Sequence, residues 1–177
     1  MPGKLTYFAN AGGYAEAIRA MLHHAKFEFE DVGIPIQEFP AFKETGAAPM
    51  GSLPIWEEDG FTICQVGAIL RVLAIRLGYY SDDPKICYNI DSLVDFAGDL
   101  HLKYADYLMP VVFGQGEVGT GKVTEEQFLT EFWDRHIRVV AGRLRESAKD
   151  FVAGTDRPTV ADFKMFGQVS MALGETN

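Results

Sequence analysis

Cysteine is scarce in this 177-residue sequence: there are two, Cys64 and Cys87. They form neither a CxxC motif nor part of a set with metal-ligand spacing. A disulfide framework and a metal centre are therefore not expected, and a reducing, cytoplasmic location is the default. Positive charge is also short. Sixteen Lys and Arg stand against 25 Asp and Glu, a net charge of −9. That balance argues against nucleic acid or an anionic membrane as partner. No apolar run approaches a bilayer span, and the opening MPGKLTYF leads straight into a strand pattern rather than a signal peptide. Internal repeats and low-complexity tracts are missing as well. With 47% hydrophobic and 23% charged residues, the chain has the composition of a folded protein with one or two modest domains and a real core.

The pattern that is present is densest over residues 51–80, GSLPIWEEDGFTICQVGAILRVLAIRLGYY. Leu53 to Glu57 is apolar and β-prone. Glu58-Asp59-Gly60 is a hairpin signal, with Asp-Gly supplying positive φ. Phe61 to Cys64 returns as a strand. Gln65 opens a helix whose stripe is Val66, Ile69, Leu70, Leu73 and Leu77, closed by Gly78 as C-cap. Pro54 stands at a strand start, where proline cannot donate to a ladder. A cis Leu53–Pro54 bond would turn the Leu53 backbone outward to pair with an extended peptide; a trans bond would only mark an edge strand. The start of the Gln65 helix would attract a carboxylate nearby.

Ahead of that unit, Lys4 to Phe8 reads as a strand, Tyr14 to His24 as a helix with Ala17, Ile18, Met21 and Leu22 on its apolar face, and Phe27 to Val32 as a half-buried strand. This is β-α-β with a right-handed crossover. Residues 33–50, broken by Pro35, Pro40, Gly46 and Pro49, read as irregular. After a linker at 81–84 the pattern turns helical: Lys85 to Leu108, then Thr124 to Lys149 opened by a Thr124/Gln127 capping box, then a helix from the Thr159/Asp162 signal through Ala172. Val160, Phe163, Met165, Phe166, Val169 and Met171 lie around much of that last helix, so an uncovered apolar patch and a partner to cover it are expected. The domains expected are 1–80, α/β, and 85–177, all-α.

Five stretches in this order resemble the cytosolic glutathione transferases: KLTYF, GSLPIWEEDG, the Q-x-x-A-I-x-R-x-L-A helix, DLHLKY at 99–104, and FVAG…TVAD at 151–162. The similarity is to the tyrosine-type classes, the group with sigma, pi, mu and alpha members. It implies a thioredoxin-like N-terminal domain (βαβ-ββα) followed by a helical C-terminal domain. It also implies glutathione as co-substrate, with no further cofactor, and a hydrophobic electrophile as the second substrate. A homodimer, or a place as subunit of a larger assembly, is implied too.

Within that resemblance Tyr7 is the catalytic match. Glutathione's thiol has a pKa of about 8.5, so little is thiolate at neutral pH, and the thiolate is the nucleophile. A hydroxyl donating to the sulfur favours the ionised form. The tyrosine pKa of about 10 keeps that proton in place at pH 7. The resemblance also implies glutathione contacts for Phe8, Tyr14, Phe39, Lys43, Ser52, Leu53, Pro54, Gln65, Val66 and Asp99. Lys43 would take the glycine carboxylate, the Leu53 backbone the cysteinyl unit, and Asp99 the γ-glutamyl amine across a dimer. Four positions depart from the family: its Arg after the first strand gives way to Gly13-Tyr14, its indole to Phe39, its Lys or Gln to Ser52, and its Ser to Val66. Each lost charge-assisted bond would cost about 1.5–3 kcal/mol. The family also continues for tens of residues past its T-x-A-D helix. An active transferase and a weakened or inactive scaffold subunit are therefore both carried as readings.

Other signals are set aside. Gly116 to Lys122, GEVGTGK, has phosphate-loop spacing, but Val123 stands where Ser/Thr would bind magnesium, and an inter-helix loop is expected. His23 and His24 point to different helix faces. Asp91, Asp95 and Asp99 share a face that would suit a cation, a solvated stripe or a dimer cleft. Tyr104 and Tyr107 would line an acceptor pocket or pack in the core.

Overall fold

The computed structural model describes residues 2–112 and 122–172. They fall into two compact units. One contains the residues up to Ser81 together with those from Phe163 onward; the other is Asp82–Asp162.

The first unit is built on a four-stranded sheet of order β2-β1-β3-β4. Strand β1 (Gly3–Phe8) runs parallel to β2 (Phe29–Ile34) and antiparallel to β3 (Ile55–Glu58), which pairs antiparallel with β4 (Phe61–Cys64). Helix α1 (Glu16–His24), entered through a 3-10 turn at Gly13–Ala15, makes the β1-to-β2 crossover. Helix α3 (Val66–Leu77) follows the hairpin and packs with α1. Leu5, Ile18, Met21, Leu22, Ile69, Leu70 and Leu73 are fully buried, the apolar stripes the periodicity predicts. At the β3–β4 turn Asp59 and Gly60 have φ of 50° and 77°, the positive pair that a two-residue hairpin requires. This is the expected thioredoxin-like arrangement.

Three boundaries differ from the sequence reading. β3 begins at Ile55 rather than Leu53, just past Pro54. β2 is shifted to Phe29–Ile34. Residues 33–50 are not wholly irregular: a 3-10 turn at Ile36–Glu38 leads into α2 (Phe39–Glu44). Pro40 sits in the first turn of α2, where the missing N–H has no intrahelical partner to lose, so it starts the helix rather than breaking it.

The second unit is helical. Helix α4 spans Pro84–Val112. The stretch after Thr124 runs as α5 (Glu125–Gln127), a π-helical turn at Phe128–Trp133, and α6 (Asp134–Ser147). The capping box forms as expected: Gln127 N–H donates to the Thr124 hydroxyl at 3.2 Å, and Thr124 N–H to the Gln127 amide oxygen at 3.2 Å. Leu100, Val123 and Phe128 form a buried cluster. Asn89 joins the elements, donating to the Ala153 carbonyl at 3.2 Å and accepting from Arg143 at 3.3 Å. The GEVGTGK stretch at 116–122 lies outside the described residues except for Lys122.

Helix α7 (Val160–Ala172) bridges the division. Its Asp162 carboxylate accepts from the Thr159 N–H at 2.7 Å, the Thr159 hydroxyl at 2.9 Å and the Val152 N–H at 2.9 Å. From Phe163 on, the helix belongs to the first unit, not to the second domain as its sequence position suggests. Phe163 meets the rings of His24 and Tyr79 at 5.3 and 5.0 Å. Gly167 lies so close to α1 that an added Cβ would meet the Ala17 nitrogen at 3.1 Å. Val160, Phe163, Met165 and Met171 are buried, whereas Phe166 and Val169 are exposed, a smaller apolar face than the sequence suggests. Asp162→Ala removes three hydrogen bonds at one stroke, so a stability loss of about 2 kcal/mol is expected, read as a lower urea midpoint.

Candidate functional site

The ladders bring Tyr7, Pro54 and Gln65 to one end of the sheet. Thr6 pairs with Ile55, and Ile55 with Cys64. One step further along these rows stand Tyr7, Pro54 and Gln65, with Val66 opening α3. The Leu53–Pro54 peptide is cis, and Leu53 is buried. Gln65, at the N-cap of α3, has φ 73° and ψ 119°. A non-glycine residue there costs about 1–3 kcal/mol and persists only where its surroundings hold it. Its side-chain amide reaches the Met50 sulfur at 3.7 Å.

Tyr7 is 5% exposed, and its oxygen accepts a hydrogen bond from the Tyr14 N–H at 3.1 Å. With that acceptor position filled, the phenolic proton is directed elsewhere. Burial raises the Tyr7 pKa above its ordinary value; the Tyr14 N–H and the Arg19 charge pull it back in part. The hydroxyl is thus protonated at neutral pH and able to donate. Next to it the rings form a run: Tyr7 to Phe8 at 5.3 Å, Phe8 to Phe39 at 5.1 Å. The Lys43 ammonium lies 5.0 Å from the Phe39 centroid. Phe39 and Lys43 are placed by α2, the helix that the sequence reading lacked. Ser52 is half-buried just before Leu53.

Asp99 is exposed on α4. Tyr104 and Tyr107 pack against the second unit's cluster, with Tyr107 stacked on Phe128 at 5.1 Å, which is the core alternative of the two. Among the described residues no group of three or more His, Cys, Asp or Glu is placed to hold a metal ion, and no helix is long and apolar enough to cross a membrane. His24 instead bonds the Tyr79 hydroxyl at 2.7 Å.

The family model "Glutathione S-transferase, N-terminal domain" matches residues 3–74, the segment that carries this sheet end. A Caenorhabditis elegans protein named probable glutathione S-transferase 5 is 34% identical over 152 residues, 85% of this chain and 72% of that protein. The chain belongs to the glutathione transferase family. An Anopheles gambiae glutathione S-transferase is 36% identical over 105 residues, 59% of this chain and 51% of its own length. The chain thus spans between about half and three quarters of the length of these curated relatives. The crystal structure of a major nematode-specific transferase of C. elegans superposes with a TM-score of 0.82 at 26% identity, covering 98% of this chain and 82% of that one.

Two residues of this transferase fold, Arg19 and Lys164, escape the sequence reading, and Gly13, read there only as part of a turn that departs from the family, proves to bear on Tyr7. Arg19 holds its guanidinium 6.0 Å from the Tyr7 ring centroid. It is fixed there by Asp31, through Nε at 2.6 Å, and by the Ala11 carbonyl at 2.8 Å. Gly13 leaves room for the Tyr7 hydroxyl: at φ +43°, an added Cβ would sit 2.6 Å from its oxygen. Lys164, on α7, is 2% exposed. Burial lowers its pKa from 10.5 to about 8. The unfolded chain holds this proton more tightly, so the lysine opposes folding at and below pH 8, and the penalty fades as pH rises toward 10.5. A lone Lys in the apolar run VADFKMFG was the available signal for it.

Gly13→Ala combines a disfavoured φ with a clash on the Tyr7 oxygen. It is expected to cost about 1–3 kcal/mol and to lower conjugation by displacing Tyr7; a melting curve and a rate assay with an aryl halide check both.

Proposed function

We propose that this chain binds glutathione at the Tyr7–Pro54–Gln65 end of its sheet and transfers it to hydrophobic electrophiles, with Tyr7 as the residue that stabilises the thiolate. The observation that carries the reading is the Tyr14 N–H on the Tyr7 oxygen at 3.1 Å. It leaves the phenolic O–H as a donor for a sulfur in front of it. The thiol proton leaves to solvent as glutathione binds. The sulfur lone pair then forms the C–S bond while a halide departs, or while an activated double bond takes up a proton. Leu53 offers its backbone to the cysteinyl unit. Gln65 and the Val66 N–H, at the positive end of α3, take the γ-glutamyl carboxylate. Lys43 takes the glycine carboxylate. Glutathione is the co-substrate, and the reading invokes no other cofactor.

A hydrogen bond to a charged sulfur is worth about 1.5–3 kcal/mol, so Tyr7→Phe is expected to lower the rate at neutral pH by about tenfold to a hundredfold and to raise the apparent thiol pKa. Equal rates for the two proteins would remove Tyr7 from the chemistry. Val66 favours a second reading, a weakened or inactive scaffold subunit, because it brings no hydroxyl to the start of α3. Retention of the wild-type protein on glutathione-agarose, together with measurable turnover, decides against that reading.

The same reading includes a homodimer. Phe61 on β4 and Val72 and Ile75 on α3 are exposed, at 65%, 43% and 65%, and are among the apolar side chains of the first unit that a twin subunit would cover. Light scattering is expected to give the dimer mass for wild type and the monomer mass for Ile75→Lys; a wild-type monomer would overturn this part.

A further inference from the structure

Among the described residues Lys164 is the one buried ammonium, and the chemistry above does not use it. Its Nζ lies 5.3 Å from the centroid of the Tyr14 ring. Among the described residues no carboxylate pairs with it, and the Tyr14 phenol is the titratable group set against it; burial accounts for its lowered pKa. A buried cation without a counter-charge is costly, and an apolar side chain of the same length would pack there without that cost. Tyr14 links this charge to the reacting end of the site in two ways. Its backbone N–H donates to the Tyr7 oxygen. Burial raises the pKa of its phenol, and the neighbouring Tyr7 phenol raises it further. The ammonium, the Tyr14 ring and the Tyr7 hydroxyl therefore form one connected corner within the first unit. Charges act over longer distances where water is excluded.

We propose that Lys164 is a positioning residue for thiol activation: its ammonium holds the Tyr14 ring, and with it the N–H that aims Tyr7, while its positive charge favours thiolate over thiol. No bond to Lys164 forms or breaks; the thiol proton goes to bulk water. The proposal rests on the glutathione reading.

The test compares wild type with Lys164→Met, Lys164→Gln and Lys164→Arg, with Tyr7→Phe as reference. Glutathione is the probe. Thiolate absorbance of the bound peptide is followed against pH, and kcat and KM are measured with an aryl halide. Lys164→Met and Lys164→Gln are expected to raise the apparent thiol pKa by about one unit and lower kcat at neutral pH about tenfold, with KM for glutathione little changed. Lys164→Arg is expected to restore most of both. Removing a buried charge is not expected to lower the melting temperature of the Met variant, so lost activity would not come from unfolding; the Gln variant keeps the comparison if Met misfolds. An unchanged thiol pKa in both neutral variants, with Tyr7→Phe impaired, would overturn the proposal and leave the glutathione reading standing. Absence of bound thiolate in the wild-type protein would overturn both.

Discussion

The hydrogen bond from the Tyr14 amide to the Tyr7 phenolic oxygen is the contact on which the site depends. A phenol has one proton to give, and the direction of that proton decides whether it can serve a neighbouring sulfur. By filling an acceptor position from behind, the amide turns a buried strand tyrosine into an oriented donor. The bond requires a tight return of the chain after β1, and Gly13 permits it. A larger residue would be forced onto the hydroxyl itself.

Electrostatics around that bond pull in opposite directions. Burial holds the Tyr7 proton on, while the Tyr14 N–H and Arg19 loosen it. A donor that is protonated at neutral pH but already polarised by neighbouring positive charge suits stabilisation of an anion better than a free phenol does. Arg19 is held by Asp31 and the Ala11 carbonyl, so its position does not rely on ligand. Lys164 has no such anchor among the described residues and is buried against an aromatic face instead. The two cations therefore differ: the pairing of Arg19 limits its electrostatic cost, whereas Lys164 bears an unrelieved desolvation penalty.

Much of the first unit was legible in the sequence because its signals are local. The Asp59-Gly60 turn, the α3 stripe and the Gly78 cap each need only a few neighbouring residues to be read, and all appear where expected. Tyr7, Pro54 and Gln65 follow from that order, since two antiparallel registers carry them to one end of the sheet. α2 is not legible in the same way, because proline reads as a breaker at most helical positions and is tolerated only in a first turn, where Pro40 stands. The capping signals at Thr124 and Thr159 are legible for the same local reason as the hairpin.

The sequence by itself determined the order of strands and helices, the turn chemistry and the family resemblance, because those depend on residue type at short spacing. Only the tertiary structure decided that α7 passes from the second unit to the first, that Arg19 lies over Tyr7, and that Lys164 faces Tyr14. Those contacts join residues remote along the chain or on different elements. Helical periodicity can say that Lys164 interrupts an apolar face; it cannot say which ring that face meets.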